Sequence, residues 1–191
     1  MITALKNIKS KLFPKRGLAH AETIFTHTTK AERKLLLQLA SEAPGHALEI
    51  GSYLGASSCY IAEGLKNKNA KLICVDTWQN DAMEEGKKDT FEMFSLNTRD
   101  YKHIIEARRG KSSDMATANS LEFGFAFFDG DHSYQGIKTD WESWKSSLKQ
   151  GATICFHDYG WADGVQRVVR EEILPIAKES GSLPNLFWAK I

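Results

Sequence analysis

Short apolar runs alternate with segments of helical period along most of this chain, and few folds accommodate that alternation. Runs at His46–Ile50, Lys71–Val75, Ile104–Ala107, Phe123–Phe128 and Ala152–Phe156 are too short for helices and rich in strand-forming residues. Between them lie helical segments, from about Ala56 to Leu65 and from Val165 to Ile173. In a further one Tyr134, Ile137, Trp141, Trp144 and Leu148 recur at helical spacing, a stripe that must face a sheet. An earlier helix, Ala31 to about Ser41, opens on the Thr29/Glu32 capping box and stops before Pro44-Gly45. Strands alternating with helices build parallel βαβ units. The expected fold is α/β: one doubly wound, Rossmann-like, mostly parallel sheet with helices on both faces.

Composition narrows the function. A length of 191 residues suits one domain. Twenty-five Lys+Arg against 24 Asp+Glu leave no basic excess, so no nucleic acid is expected as partner. No uncharged apolar run reaches the ~18 residues of a membrane span. Cys59, Cys74 and Cys155 are far apart in apolar contexts, which reads as buried thiols of a cytoplasmic protein. The near-neutral sum conceals a basic N-terminus: Lys6, Lys9, Lys11, Lys15 and Arg16 with no acid before residue 19. Ile2, Leu5, Ile8 and Leu12 recur there at helical spacing until Pro14. We expect a basic amphipathic arm over residues 1–28 and a catalytic domain over 29–191. The arm would pack on the domain or on a homodimer partner, dock on a membrane surface or serve in targeting.

Open parallel sheets bind ligands beyond the carboxyl ends of their strands. After the first strand, Gly51 and Gly55 permit a tight turn close to a ligand. Tyr53 stands where a dinucleotide fingerprint has its middle glycine, which disfavours a nicotinamide or flavin oxidoreductase. Glu49, just before the turn, suits a cationic ligand; a purely structural turn is the alternative. Asp76 ends the second strand, 25 residues beyond Gly51, where an acid reaches a ribose diol, unless it caps its own loop.

A second concentration follows the next two strands: Asp129, Asp131 and His132, then His157 and Asp158. Neighbouring strand ends lie ~5 Å apart, so these groups converge. Clustered carboxylates call for a cation or a protonated neighbour. Three readings stand: oxygen ligands for Mg²⁺ or Ca²⁺; His132 or His157 as general base; or Asp131 and Ser133 capping the next helix while His132 packs on the sheet. Trp78, Tyr159 and Trp161 could wall a pocket for a flat or sugar-like acceptor. Trp141 and Trp144 belong to the core. Residues 79–100 read as a helix or lid.

The run Leu48-Glu49-Ile50-Gly51-Ser52-Tyr53-Leu54-Gly55-Ala56-Ser57 resembles motif I of class I S-adenosylmethionine-dependent methyltransferases, especially the catechol O-methyltransferase-like branch. Phe128-Asp129-Gly130-Asp131-His132-Ser133-Tyr134 with His157-Asp158-Tyr159 resembles a small methyltransferase family carrying D-G-D-H-x-Y … H-D-Y. The likeness runs from about residue 46 to 170. It implies S-adenosylmethionine as cofactor, with Glu49 and Gly51 at its amino-acid end. Ser52, Tyr53, Gly55, Ser57 and Asp129 would complete the contacts, Asp76 would hold the ribose, Trp78 would border the adenosine, and Ser112 would lie near the adenine. It implies a divalent cation, Mg²⁺ or another, on Asp129, Asp158 and His157, although Tyr159 stands where catechol enzymes carry an asparagine ligand. Methylation of a small-molecule hydroxyl is the implied activity; a catalytically inactive cofactor-binding subunit is the alternative. The resemblance also implies a reversed strand pair at the C-terminal sheet edge, of which only Leu186–Ile191 is evident; either the preceding strand is short, around residues 176–183, or the sheet edge is trimmed.

Overall fold

A computed structural model describes residues 16–80 and 86–191. The helix expected through Ile2, Leu5, Ile8 and Leu12 lies outside the described residues. In chain order the elements are α1 (Leu18–Ala21), α2 (Lys30–Glu42), β1 (His46–Ile50), α3 (Ala56–Leu65), β2 (Leu72–Asp76), α4 (Phe91–Asn97) and β3 (Ile105–Arg109). There follow α5 (Ser112–Thr117), β4 (Phe123–Phe128), α6 (Tyr134–Trp144), β5 (Leu148–His157), α7 (Asp163–Val168), β6 (Glu179–Leu183) and β7 (Leu186–Lys190).

The strands form one seven-stranded sheet in the order β3-β2-β1-β4-β5-β7-β6. The first five are parallel, and β7 runs antiparallel to both β5 and β6. The reversed strand therefore lies one place in from the edge. Its partner β6, Glu-Ser-Gly-Ser-Leu, is partly exposed along its length and carries no apolar alternation to announce it. Among the described residues no helix is long and apolar enough to cross a membrane.

Side chains alternate across the sheet and fill two cores. Leu36, Leu39, Tyr60, Ile61 and Leu65 of α2 and α3 cover one face, meeting Ala47, Cys74, Phe125, Phe127 and Cys155. Ile137, Trp141 and Trp144 of α6, with Val165 and Val168 of α7, cover the other, meeting Leu48, Ile50, Val75, Phe128 and Phe156. Leu148, expected to end the stripe of α6, instead begins β5. A 3-10 turn over Lys145–Ser147 closes the helix, and Leu148 pairs with Phe123. The helix expected to reach Ile173 is α-helical only to Val168 and continues as a π-helix over Val169–Ile173.

The folded unit starts before residue 29. Ala21 and Ile24 are buried in the α2/α3 core, and Gly17 N–H donates to Asp100 Oδ2 at 2.7 Å.

Candidate active site

The turn between β1 and α3 is organised from both sides. Gly51 has φ +82°, and a Cβ there would lie 2.0 Å from the carbonyl oxygen of Asp129. Its glycine is demanded by the close passage of the β4 end, not only by space for a ligand. Asp76 fastens the turn across from β2. Its Oδ2 accepts from the Ser52 and Tyr53 N–H groups (2.8 and 2.9 Å), and its Oδ1 from Trp78 N–H (2.7 Å). Three backbone donors occupy most of the roughly four acceptor positions of a carboxylate. Loop capping is thus real, and a ribose contact would use the remainder.

Glu49 points into the α2/α3 face and is fully buried. Its Oε2 accepts from Ser52 Oγ (2.8 Å), Ser58 Oγ and Cys74 Sγ (3.2 Å). Its Oε1 has no partner among the described residues. Burial raises its pKa, with the Ser58, Ser57 and Ser52 hydroxyls acting against that rise. An orphaned carboxylate oxygen beside the turn is the observation that fits a cofactor bearing an amino group.

The second part of the site lies at the ends of β4 and β5. His157 is buried, its side chain 2% exposed. Its Nδ1 is 3.1 Å from Asp129 Oδ1 and 3.2 Å from Asp158 Oδ1, and its Nε2 is 3.5 Å from Glu32 Oε2. Burial alone would discharge the ring. The charge of Asp129 and the hydrogen bonds to Asp129, Asp158 and Glu32 outweigh burial and push its pKa up to about 12. Burial would raise the Asp158 pKa, yet hydrogen bonds from His132 and His157 hold it well below the carboxylate range.

Asp158, in the left-handed region at φ +59°, collects four donors. They are His132 Nδ1 (2.9 Å), His157 Nδ1, Trp161 Nε1 (2.9 Å) and Asn185 Nδ2 (3.1 Å). The contact with His132 leaves that ring's Nε2 as the nitrogen able to accept a proton. The His132 side chain is 32% exposed and meets the Trp161 indole edge-on at 5.3 Å. Asp131 and Ser133 serve as caps, Asp131 Oδ1 accepting from Ser133 N–H and Ser133 Oγ from Gly136 N–H.

Asp129, His157 and Asp158 each offer one ligand atom within 4.8 Å of the others, the spacing of a metal site. The donor chemistry does not fit a resident divalent ion. Nδ1 of His157 lies between two carboxylate oxygens and needs a proton there, Nε2 lies between Glu32 Oε2 (3.5 Å) and Asn185 Nδ2 (3.4 Å), and three of the four donors on Asp158 crowd its Oδ1.

The structure brings Glu49, Gly51, Ser52, Tyr53, Gly55, Ser57 and Asp76 together around the turn. It joins Asp129 to them through Asp129 N–H donating to Ile50 O at 2.8 Å. Trp78 departs from expectation. Its left-handed backbone (φ +50°) turns the ring inward, fully buried against Phe91 and Phe94, with its indole N–H on Tyr53 O. It therefore forms no wall with Tyr159 and Trp161. The Ser112 hydroxyl accepts from Trp144 Nε1 at 2.9 Å, so any adenine contact would form beside that bond. Glu32 and Asn185 join the site from outside the sequence motifs. Glu32 is placed by the capping box, in which Thr29 N–H donates to Glu32 Oε2 at 2.6 Å.

The family model described as "Methyltransferase domain" matches residues 48–159. An uncharacterised protein of Acanthamoeba polyphaga mimivirus is 28% identical over 137 residues, 68% of this chain and 59% of that protein. The chain thus spans under two thirds of that curated relative. Among solved structures, the O-methyltransferase NovP is 17% identical with a TM-score of 0.72, over 87% of this chain and 82% of NovP. An O-methyltransferase from Bacillus cereus, solved with S-adenosylhomocysteine, is 17% identical with a TM-score of 0.69, over 98% and 97%. TomG from Streptomyces achromogenes, an O-methyltransferase of tomaymycin synthesis solved with S-adenosylmethionine, is 18% identical with a TM-score of 0.67, over 98% and 95%. At these identities the structures establish the shared fold. The family match covers more than half of the 191 residues and both parts of the site, and the chain belongs to the methyltransferase-domain family.

Proposed function

We propose that this chain is an S-adenosylmethionine-dependent methyltransferase that methylates a hydroxyl group of a small molecule, with His132 as general base. The observation that carries the mechanism is the His132–Asp158 contact at 2.9 Å, which fixes Nδ1 as donor and presents Nε2 at the half-exposed rim. When bound, S-adenosylmethionine supplies an electrophilic methyl group on a sulfonium centre.

The chain's residues supply position and proton transfer. Glu49 Oε1 offers an unpaired acceptor to the cofactor's amino group, and Asp76 holds the turn that faces it. Trp161, its indole pinned to Asp158 and its ring 64% exposed, gives the acceptor an apolar surface beside His132. His132 Nε2 would take the proton of the acceptor hydroxyl, making that oxygen the nucleophile toward the methyl group the cofactor would supply. Asp158 stabilises the imidazolium that forms. Alignment supplies a large share of the rate. A cytoplasmic location belongs to the same proposal, supported by three free, buried cysteines.

Calorimetry with S-adenosylmethionine and S-adenosylhomocysteine tests the reading, followed by an acceptor panel scored for S-adenosylhomocysteine release. Absence of binding would overturn it. Binding without turnover across phenols, sugars and alcohols would favour the inactive subunit.

A further inference from the structure

We propose that His157, caged by Asp129, Asp158 and Glu32, takes the place of a divalent cation in this chain, so that the site neither needs nor retains one. The inference concerns the site of the proposed methyl transfer, but its test requires no turnover.

Charge is the first argument. Asp129 and Asp158 face one edge of a ring whose side chain is 2% exposed, and Glu32, itself 3% exposed, faces the other. Anions buried in this way are costly unless a cation lies among them. The only basic side chain the structure puts in contact with all three, among the described residues, is His157.

Ligand geometry is the second. A histidine ligates a metal through a bare nitrogen. Nδ1 here sits between two carboxylate oxygens at 3.1 and 3.2 Å, a proton's position, not a lone pair's. Nε2 lies 3.5 Å from a third carboxylate, Glu32 Oε2, and 3.4 Å from the Asn185 amide nitrogen. Asp158 holds four N–H donors, three of them on Oδ1, where Trp161 and Asn185 reach it from the loop after β5 and the β6–β7 turn. Metal binding would have to displace the His157 proton and break part of this set.

The third argument is where the cage comes from. Glu32 belongs to the first turn of α2, outside residues 48–159 that match the family model. Its Oε2 is held by Thr29 N–H, so the capping box that starts the helix also places a carboxylate against Nε2. Glu32 is thereby a positioning residue: it acts on the reaction through His157, which in turn fixes the Asp158 carboxylate that orients His132.

The full-length protein, with histidines labelled with ¹⁵N, is titrated with Mn²⁺ and Mg²⁺ and followed by electron paramagnetic resonance and NMR. In the wild type we expect no Mn²⁺ binding tighter than about 1 mM, and both His157 ring nitrogens protonated at about pH 8, well above the ordinary imidazole value. His157→Gln removes the cation and leaves the carboxylates, and should bind Mn²⁺ at least ~10-fold more tightly than wild type. Glu32→Gln preserves the capping box, since Gln serves at that position, and should let His157 lose its proton at lower pH. Stoichiometric Mn²⁺ binding by the wild type, or a neutral His157 ring at about pH 8, would overturn the proposal. An unchanged His157 titration in Glu32→Gln would remove Glu32 from the cage. None of these results touches the cofactor calorimetry, so failure here is separate from failure of the methyltransferase reading.

Discussion

His132 Nδ1 lies 2.9 Å from Asp158 Oδ2, and that contact decides which nitrogen of the ring faces the acceptor. Replacing His132 with Gln should lower kcat by roughly 10²–10⁴-fold while S-adenosylmethionine affinity stays unchanged. The hydrogen bond from His132 to Asp158 raises the His132 pKa above 6.5, against the opposing effect of burial. The base is the neutral ring, so kcat/KM should climb with pH through a midpoint above 6.5. Asp158→Asn removes the charge, and the midpoint should move down. A pH–rate series on both proteins checks this, and an unshifted limb would separate Asp158 from the base.

Two linkages with opposite sign should govern stability. The folded pKa of His157 is pushed up to about 12, above its unfolded value. Its contribution is fully present below the ordinary imidazole pKa of ~6.5 and is lost as pH rises through the folded value. Asp158 is held below the carboxylate range, so its contribution is present above ~3.9 and is lost as pH falls further. Urea midpoints should therefore decline steadily on the alkaline side, and the decline should flatten in His157→Gln. An equal alkaline slope in both proteins would contradict the buried imidazolium.

The two glycines of the turn and the rim acids are legible in the sequence because each set is contiguous and follows an apolar strand. What lies beyond reach is contact between distant segments. The spacing of Thr29 and Glu32 is already explained by the capping box, so nothing local signals that Glu32 also meets His157. Asn185 sits in a two-residue turn after β6, a strand that family likeness places only as one alternative around residues 176–183 because its own sequence carries no apolar alternation. Trp78 follows a strand as pocket residues do, but its φ of +50° sends the ring into the core. Asp76 shows the converse: the ribose and loop-capping readings come from the same position, and only the three N–H donors reveal that capping is in force.

Trp161 offers a test of the acceptor surface. Trp161 is 64% exposed and buries little, so the stability lost in Trp161→Ala should be mainly that of its indole N–H bond to the Asp158 carboxylate, about 1–3 kcal/mol. If the indole walls the acceptor pocket, KM for the acceptor should rise several-fold with S-adenosylmethionine affinity unchanged. Steady-state kinetics with the acceptor varied gives the answer, and an unchanged KM would place the acceptor elsewhere.

Gly51→Ala joins two costs. The left-handed backbone strains any residue with a Cβ, by about 1–3 kcal/mol, and the new carbon would meet the Asp129 carbonyl. Relief requires Asp129 to move, which would also disturb His157. Lower stability together with weaker cofactor binding is expected from denaturation and calorimetry. Gly55→Ala is a useful comparison, because the new carbon would meet the Thr98 methyl and the Phe94 ring and not the Asp129 carbonyl. Strain at φ +89° should remain there, with less effect on the rim.

Asp76→Ala separates the two jobs proposed for one carboxylate. The substitution leaves the N–H groups of Ser52, Tyr53 and Trp78 without their acceptor. A donor left unpaired and cut off from water costs about 1–3 kcal/mol, and less where water can replace the lost partner. Because Asp76 is only half-buried, a total loss at the lower end of that range is expected. Cofactor affinity should fall by more than the stability loss explains if the remaining lone pair also holds the ribose. Comparing S-adenosylhomocysteine with an analogue lacking the ribose hydroxyls isolates that part: the variant should bind both equally weakly, whereas the wild type should prefer the hydroxylated form. Equal preference in the wild type would leave Asp76 as the fastener of the turn and nothing more.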